Sequence, residues 1–186
     1  YGTVFSANYS KNNTTVDFGG AYTQYDAKHY GFVKCAEVGV PLDYQWYHLP
    51  ANKNDFNIYA KLQQQIITGF YGFLDLQLRN VDYVINGFRK NPDLKSGGNY
   101  TFFNPKAGLS YILKHANTAQ SKIYGSVAIA NKEPNRDDFE ANTEQAPKHE
   151  QLTDFELGYQ FNARKFEAGI NGYYMKYKNQ LIATGK

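Results

Sequence analysis

The chain has 186 residues, enough for one domain with a sizeable core, and its 20 Lys and Arg against 17 Asp and Glu leave a formal net charge of +3. So small an excess gives no reason to expect a nucleic-acid partner. A lone cysteine, Cys35, excludes an internal disulfide and a cysteine metal cluster, and apolar runs of only a few residues exclude a transmembrane helix. The mean hydropathy of −0.62 does not by itself argue for a soluble protein, because strands that alternate apolar and polar residues average to such values. With 17 Tyr and 13 Phe the chain is aromatic, which suits a membrane interface or a carbohydrate binder equally. It starts at Tyr1, has its only methionine at Met175 and shows no leader pattern, as expected of a mature or excised piece.

Taken in chain order, the hydrophobic period is two rather than 3.6, and the elements read as seven or eight strands with no helix. Residues 1–9 and Thr14 to Tyr25 are the first two. Asp55 to Ile66 is the clearest: Phe56, Ile58, Ala60, Leu62 and Ile66 share one side, broken by Gln64, and Asn57, Tyr59, Lys61, Gln63 and Gln65 the other. After Thr68-Gly69 the pattern resumes, with Leu74, Leu76 and Leu78 opposed to Asp75, Gln77 and Arg79, so the two runs form an antiparallel hairpin. Weaker strands follow at Tyr100 to Lys114 and Ser121 to Lys132. Near the end, Phe155, Leu157, Tyr159 and Phe161 oppose Asp154, Glu156, Gly158 and Gln160. A turn at residues 162–165 leads to Phe166, Ala168, Ile170, Gly172 and Tyr174, set against Glu167, Gly169, Asn171 and Tyr173.

The connections alternate in length: short at 10–13, long at 26–53, short at 66–69, long at 87–99, medium-short at 115–120, long at 133–151 and short at 162–165. An up-and-down barrel in an outer membrane keeps short turns on one side and long loops on the other. A soluble sandwich or lipocalin-like barrel has no reason to do so. The apolar rows contain no Lys, Arg, Asp or Glu. One basic residue there at mid-membrane would cost about 2–4 kcal/mol. Phe70, Tyr71, Phe161 and Phe166 lie beside short turns and Tyr22, Tyr25, Tyr173, Tyr174 and Tyr177 near the long-loop ends, which suggests two interfacial belts. Periodicity alone does not separate this from a half-buried soluble sheet.

Candidates for chemistry are few. Glu133 to Glu140 is the densest acidic cluster, but its spacing does not match a calcium-binding EF-hand loop. It reads better as a polar loop in which Arg136 pairs with a carboxylate. The four histidines, His29, His48, His115 and His149, lie far apart without zinc-ligand spacing. No nucleophile elbow or phosphate loop is present, so catalytic residues, metal and cofactor are all expected to be none. The pairs Gly19-Gly20 and Gly97-Gly98 read as turn or bulge devices. Tyr44, Trp46 and Tyr47 in the longest loop, with Arg136, Asp137 and Asp138, are the candidate ligand-binding residues.

Several segments resemble the barrel of TonB-dependent receptors: Phe103–Tyr111, Ala130–Phe139 and Tyr173–Leu181, with Val16–Thr23 and Asn54–Lys61 like the same family's earlier strands. The resemblance runs over essentially the whole chain and is closest to the branch found in gut Bacteroidota. It implies an all-β antiparallel up-and-down meander, a fragment of a transmembrane barrel of about 22 strands with a plugged lumen, of which residues 1–186 would supply roughly a third. The plug and terminal strands are absent from the sequence given. The family imports an iron chelate, cobalamin or oligosaccharide across the outer membrane of a Gram-negative bacterium, powered by an inner-membrane complex acting on the plug. The implied partners are outer-membrane lipid, the plug, that energy-coupling complex and a small nutrient. Lys61, Gln63, Asp75, Gln77, Arg79, Asp154 and Glu156 would line the lumen. The competing readings are a passive porin-like barrel and a soluble all-β carbohydrate-binding module, in which the leucine row would be buried in protein.

Overall fold

The period of two carries through to eight strands in the computed structural model, which describes residues 1–37, 39–115, 119–141 and 147–180. They are β1 (Gly2–Lys11), β2 (Thr14–Val33), β3 (Tyr44–Ile67), β4 (Phe70–Asn86), β5 (Lys95–His115), β6 (Ala119–Lys132), β7 (Glu150–Ala163) and β8 (Phe166–Lys178). All pair antiparallel in chain order within one sheet, with β1 and β8 at its edges. Each short turn is set by local chemistry. Asn12 takes the left-handed region (φ 51) between β1 and β2, and Gly69 does so (φ 80) between β3 and β4, where a bulge beside Ile67 closes the hairpin.

The strands run further than the sequence pattern indicates. β2 and β3 continue from Tyr25 to Val33 and from Tyr44 to Lys53, so the connection expected at 26–53 shrinks to 34–43. Tyr44, Trp46 and Tyr47 therefore sit on β3 and not in a loop. Polar residues such as Asp26, Lys28 and His48 hid this, because a ribbon with polar groups on both faces shows no apolar alternation. β5 likewise starts at Lys95 and holds Gly97 and Gly98 inside a strand. Gly19 and Gly20 lie inside β2. A Cβ at Gly19 would come within 2.7 Å of the Tyr59 hydroxyl, so this glycine admits a neighbouring ring rather than turning the chain. The expected absence of helix is also corrected: α1 (Arg136–Ala141) forms in the last long connection. Asn135 and Asp138 cap it reciprocally, Asn135 Oδ1 accepting from the Asp138 backbone N–H (3.0 Å) and the Asp138 carboxylate from the Asn135 backbone N–H (2.7 Å). Parts of the 115–120 and 133–151 connections and Leu181 lie outside the described residues.

Register sorts the side chains cleanly, since directly paired residues share a face. Val16, Leu62 and Leu74 fall in one cross-strand row, Ile58, Leu78 and Phe103 in another, and Val127, Phe155 and Tyr174 in a third, all on the same face. Most of this face is exposed: Leu74 keeps 41% of its surface, Leu78 46%, Phe103 55% and Leu157 63%, while Val16 and Ile58 are half-buried. A soluble module would bury that row in protein, and no described residue covers it. At the end carrying the long connections the same face turns polar. The Tyr22 hydroxyl donates to Asn54 (3.3 Å), Asn52 donates to Asp26, and Asn80 donates to Asn99 (3.1 Å) and Thr101 (2.9 Å). The two expected aromatic belts are corrected by register. Phe70, Phe161, Phe166, Tyr22 and Tyr174 belong to the apolar face, whereas Tyr71, Tyr25, Tyr173 and Tyr177 project from the other.

Candidate functional site

The second face is polar, and it gathers the residues read as a lumen lining. Lys61 pairs with Asp75 and Asp75 with Lys106; Gln63 is opposite Phe73; Gln77 is opposite Asn104, whose amide donates to it (3.0 Å); Arg79 is opposite Asn57 and Phe102. Glu156 lies opposite Ser126, and Asp154 opposite Ala128, itself opposite Lys106. All seven residues thus share one face. Among the described residues Asp154 has a buried oxygen, Oδ1, without a hydrogen-bond partner.

Toward the long connections this face carries a closed ionic network. Arg79 sits between two carboxylates: its Nη2 and Nε reach Asp55 Oδ2 and Oδ1 at 2.6 and 3.1 Å. Its Nη1 and Nη2 donate to Glu133 Oε2 and Oε1, each at 3.0 Å, so the planar fork is used on both sides. Lys53 Nζ adds a third cation contact, 2.7 Å from Glu133 Oε1. Burial acts to raise the pKa of Glu133, but hydrogen bonds from Lys53 and Arg79 overcome it and hold the carboxyl down at about 2. The network joins residues 54 and 80 apart in sequence and fastens the start of the last long connection to the sheet.

The rest of that connection is anchored by packing. Phe139, 2% exposed, enters a cluster with Val81, Tyr83, Ile85, Phe88 and Phe102. Its ring meets Tyr83 edge-on at 5.5 Å, Tyr83 and Tyr100 stack at 6.0 Å, and His149 lies over Phe102 at 5.4 Å. Two tyrosines tie the backbone down, Tyr83 donating to Pro134 O and Tyr100 to Pro147 O, both at 3.3 Å. The connection at 87–94 joins in, with Gly87 at φ +89 and its carbonyl accepting from Arg136 Nη2 at 2.7 Å. Arg136 also stacks over Phe88, 5.0 Å from the ring centre. Among the described residues it pairs with no carboxylate; the backbone carbonyl and the aromatic face occupy its guanidinium.

Two cavities open on the polar face. One, of about 460 Å³, lies between this anchored connection and strands β2 to β4. The other, of about 680 Å³, lies toward the short turns and is lined by Lys61, Asp75, Lys106 and Lys122 with the amides of Gln63, Gln64 and Gln65.

The six expected ligand-binding residues are not brought together. Trp46 packs against Tyr47 (5.6 Å) and under Arg89 (5.5 Å), Arg136 and Asp138 stabilise their own connection, and Asp137 is exposed. Tyr44 is exposed near the far end of the β2–β3 ribbon. No group of three or more His, Cys, Asp or Glu side chains suited to a metal exists among the described residues. The sequence reading missed Lys53, Asp55, Glu133, Tyr83 and Phe139. The Arg79–Asp55 pair was within reach, since the recognised hairpin puts Asp55 diagonal to Arg79 across the strands. Glu133 was read only as part of an acidic cluster, and nothing local pointed to its pairing with Arg79 or to the burial of Phe139.

No protein-family model matches the chain, and no curated protein matches it in sequence. Among solved structures, the Copper transporter OprC superposes with a TM-score of 0.76 at 14% identity, over 94% of this chain and 29% of that one. The β domain of the Bordetella autotransporter BrkA covers 94% of this chain and 70% of its own at 12% identity, but its TM-score of 0.37 is too low to bear on the fold. This chain therefore spans under a third of the length of OprC, and its eight-stranded meander has the fold of an arc of a large β-barrel wall.

Proposed function

We propose that the chain is a segment of the wall of an outer-membrane transport barrel of the TonB-dependent receptor type, in a Gram-negative bacterium, and that it serves uptake of a small nutrient without covalent chemistry. The observation that carries this reading is the height of the exposed apolar rows. They run from Phe70 to Leu78, Phe103 to Leu113, Phe155 to Ala163 and Phe166 to Tyr174 on one face, bounded by polar residues toward the long connections. Each is about 9–11 residues, the length a tilted strand needs to cross the hydrocarbon core. Leaving so much apolar surface in water would be a strong aggregation hazard, whereas lipid accommodates it.

The opposite face, with Lys61, Asp75, Gln77, Arg79 and Glu156, would then face the lumen and the plug of the longer protein. The connections at 34–43, 87–94 and 133–149 would face outward, toward the arriving nutrient. An iron chelate, cobalamin or an oligosaccharide is the class of cargo that the sequence resemblance supports, and the Bacteroidota-like branch rests on that resemblance alone. Plug and energy-coupling complex enter by the same resemblance, with the fold shared with the Copper transporter OprC in support.

A cysteine scan along residues 73–80, in outer membranes and with Cys35 replaced, tests the reading. Leu74, Leu76 and Leu78 should answer only to a lipid-dissolved quencher, and Asp75, Gln77 and Arg79 only to a water-soluble maleimide. Leucine sites that answer to neither would mean a face packed in protein, and the membrane reading would fall.

A further inference from the structure

We infer that the 460 Å³ cavity beneath the Glu133–Arg136 segment is a binding site for a small organic anion with a flat apolar body. Its volume lies in the range of ordinary ligand pockets. Its floor is apolar: Ala27, Ala51 and Ile85 on β2, β3 and β4, with the rings of Tyr25 and Tyr83 beside them. Tyr25 projects 61% exposed from the polar face, directly opposite Lys53, so one face of its ring is open to stack on a planar group.

The rim decides the sign of the ligand's charge. Among the described residues of the lining the only carboxylate, Glu133, is already saturated by Arg79 and Lys53. His29 and Lys132 line the same cavity, and beyond the strand ladder, where Lys132 stands opposite Glu150, their side chains make no hydrogen bond or ion pair with any described residue. What the cavity still offers a visitor is therefore cationic and hydrogen-bond donating over an apolar floor. A carboxylate or sulfonate on an aromatic or alicyclic body satisfies both parts, and a neutral sugar or a cation satisfies neither.

The inference rests on the transport reading and deepens it by naming a ligand class for the mouth of the polar face, and its outcome is read separately from that of the cysteine scan. The longer natural polypeptide containing this chain, purified in detergent, would be dialysed to equilibrium against 2-naphthoate and against neutral 2-naphthamide, with a detergent-only chamber subtracted. The carboxylate should bind about tenfold more tightly than the amide. Lys132→Gln should remove most of that difference, and Ala27→Leu, which fills the floor, should abolish binding of both. Equal binding of acid and amide would overturn the inference. So would undetectable binding of the acid at about millimolar concentration, or an Ala27→Leu protein that is folded by circular dichroism and binds the acid unchanged. If Ala27→Leu fails to fold, the comparison of acid with amide on wild type and Lys132→Gln decides alone. Failure here with the leucines still answering to lipid would leave the barrel standing and remove only the anion site.

Discussion

The two ends of the polar face are built from the same strands with the same alternation, yet they differ in almost every physical respect. Toward the long connections, Lys53, Asp55, Arg79 and Glu133 pair among themselves, and Tyr83, Tyr100 and Phe102 lie under Phe139 and His149. Toward the short turns, Lys61, Asp75 and Lys106 are adjacent by register but their side chains form no hydrogen bond or ion pair among the described residues, and nothing described covers them. One end has been closed by its own chain; the other remains a charged, amide-rich surface. The difference teaches that strand alternation assigns a face but not a state. Whether a charge on that face is spent inside the protein depends on a segment that arrives from far along the chain.

The comparison breaks most visibly at Phe139. Phe139→Ala should release the anchored connection at a cost of about 3–5 kcal/mol, read as faster protease cleavage within 133–149 with the strands intact. A cleavage rate unchanged from wild type would mean that the connection is held by something other than its buried ring.

Arg79→Ala should come next, because it leaves Asp55 and Glu133 facing each other. The side chains retain 22–24% exposure at the Arg79–Asp55 pair, so the expected cost is about 2–3 kcal/mol rather than the full penalty of a buried pair. Hydrogen exchange of the amides around Pro134 checks it, and Lys61→Ala serves as the contrast at the open end.

Acid should sharpen the same contrast. Glu133 titrates at about 2 in the folded chain against an ordinary value of 4.5, so its contribution is fully present above about pH 4.5 and is lost as pH falls toward 2. The fluorescence of Trp46, which lies against Arg89 of the adjoining 87–94 connection, or proteolysis within 133–149, should change in that window. In Glu133→Gln the acid-dependent part should vanish. The smallest effect belongs to the open end: Lys61→Gln should alter stability by less than about 0.5 kcal/mol, as for solvated surface charges. A loss several times larger would show that Lys61 is already committed to a partner inside the folded protein.

How far the sequence could be read follows from these residues. The leucine row at 74, 76 and 78, the hairpin around Gly69 and the short-and-long rhythm of connections were legible, because they rest on neighbours in sequence or on one tight turn. The upper ends of β2 and β3 were not, since residues 26–33 and 44–53 carry polar groups on both faces and leave no alternation to read. Trp46 was expected in a loop and is instead a strand residue, beside Tyr47 and under Arg89.

By itself the sequence determined an antiparallel meander with one uncharged apolar face, because side chains on a strand alternate and exclusion of charge from a row is a local property of the sequence. Only the tertiary structure decided that Arg79 is clamped rather than free, that Phe139 is core rather than loop, and that a cavity with an apolar floor and a cationic rim lies beneath Glu133. The physical reason is distance along the chain. Those features depend on groups far apart along the chain, 54 residues for Arg79 and Glu133 and 80 for Lys53 and Glu133, and no period in the sequence records which of them will meet.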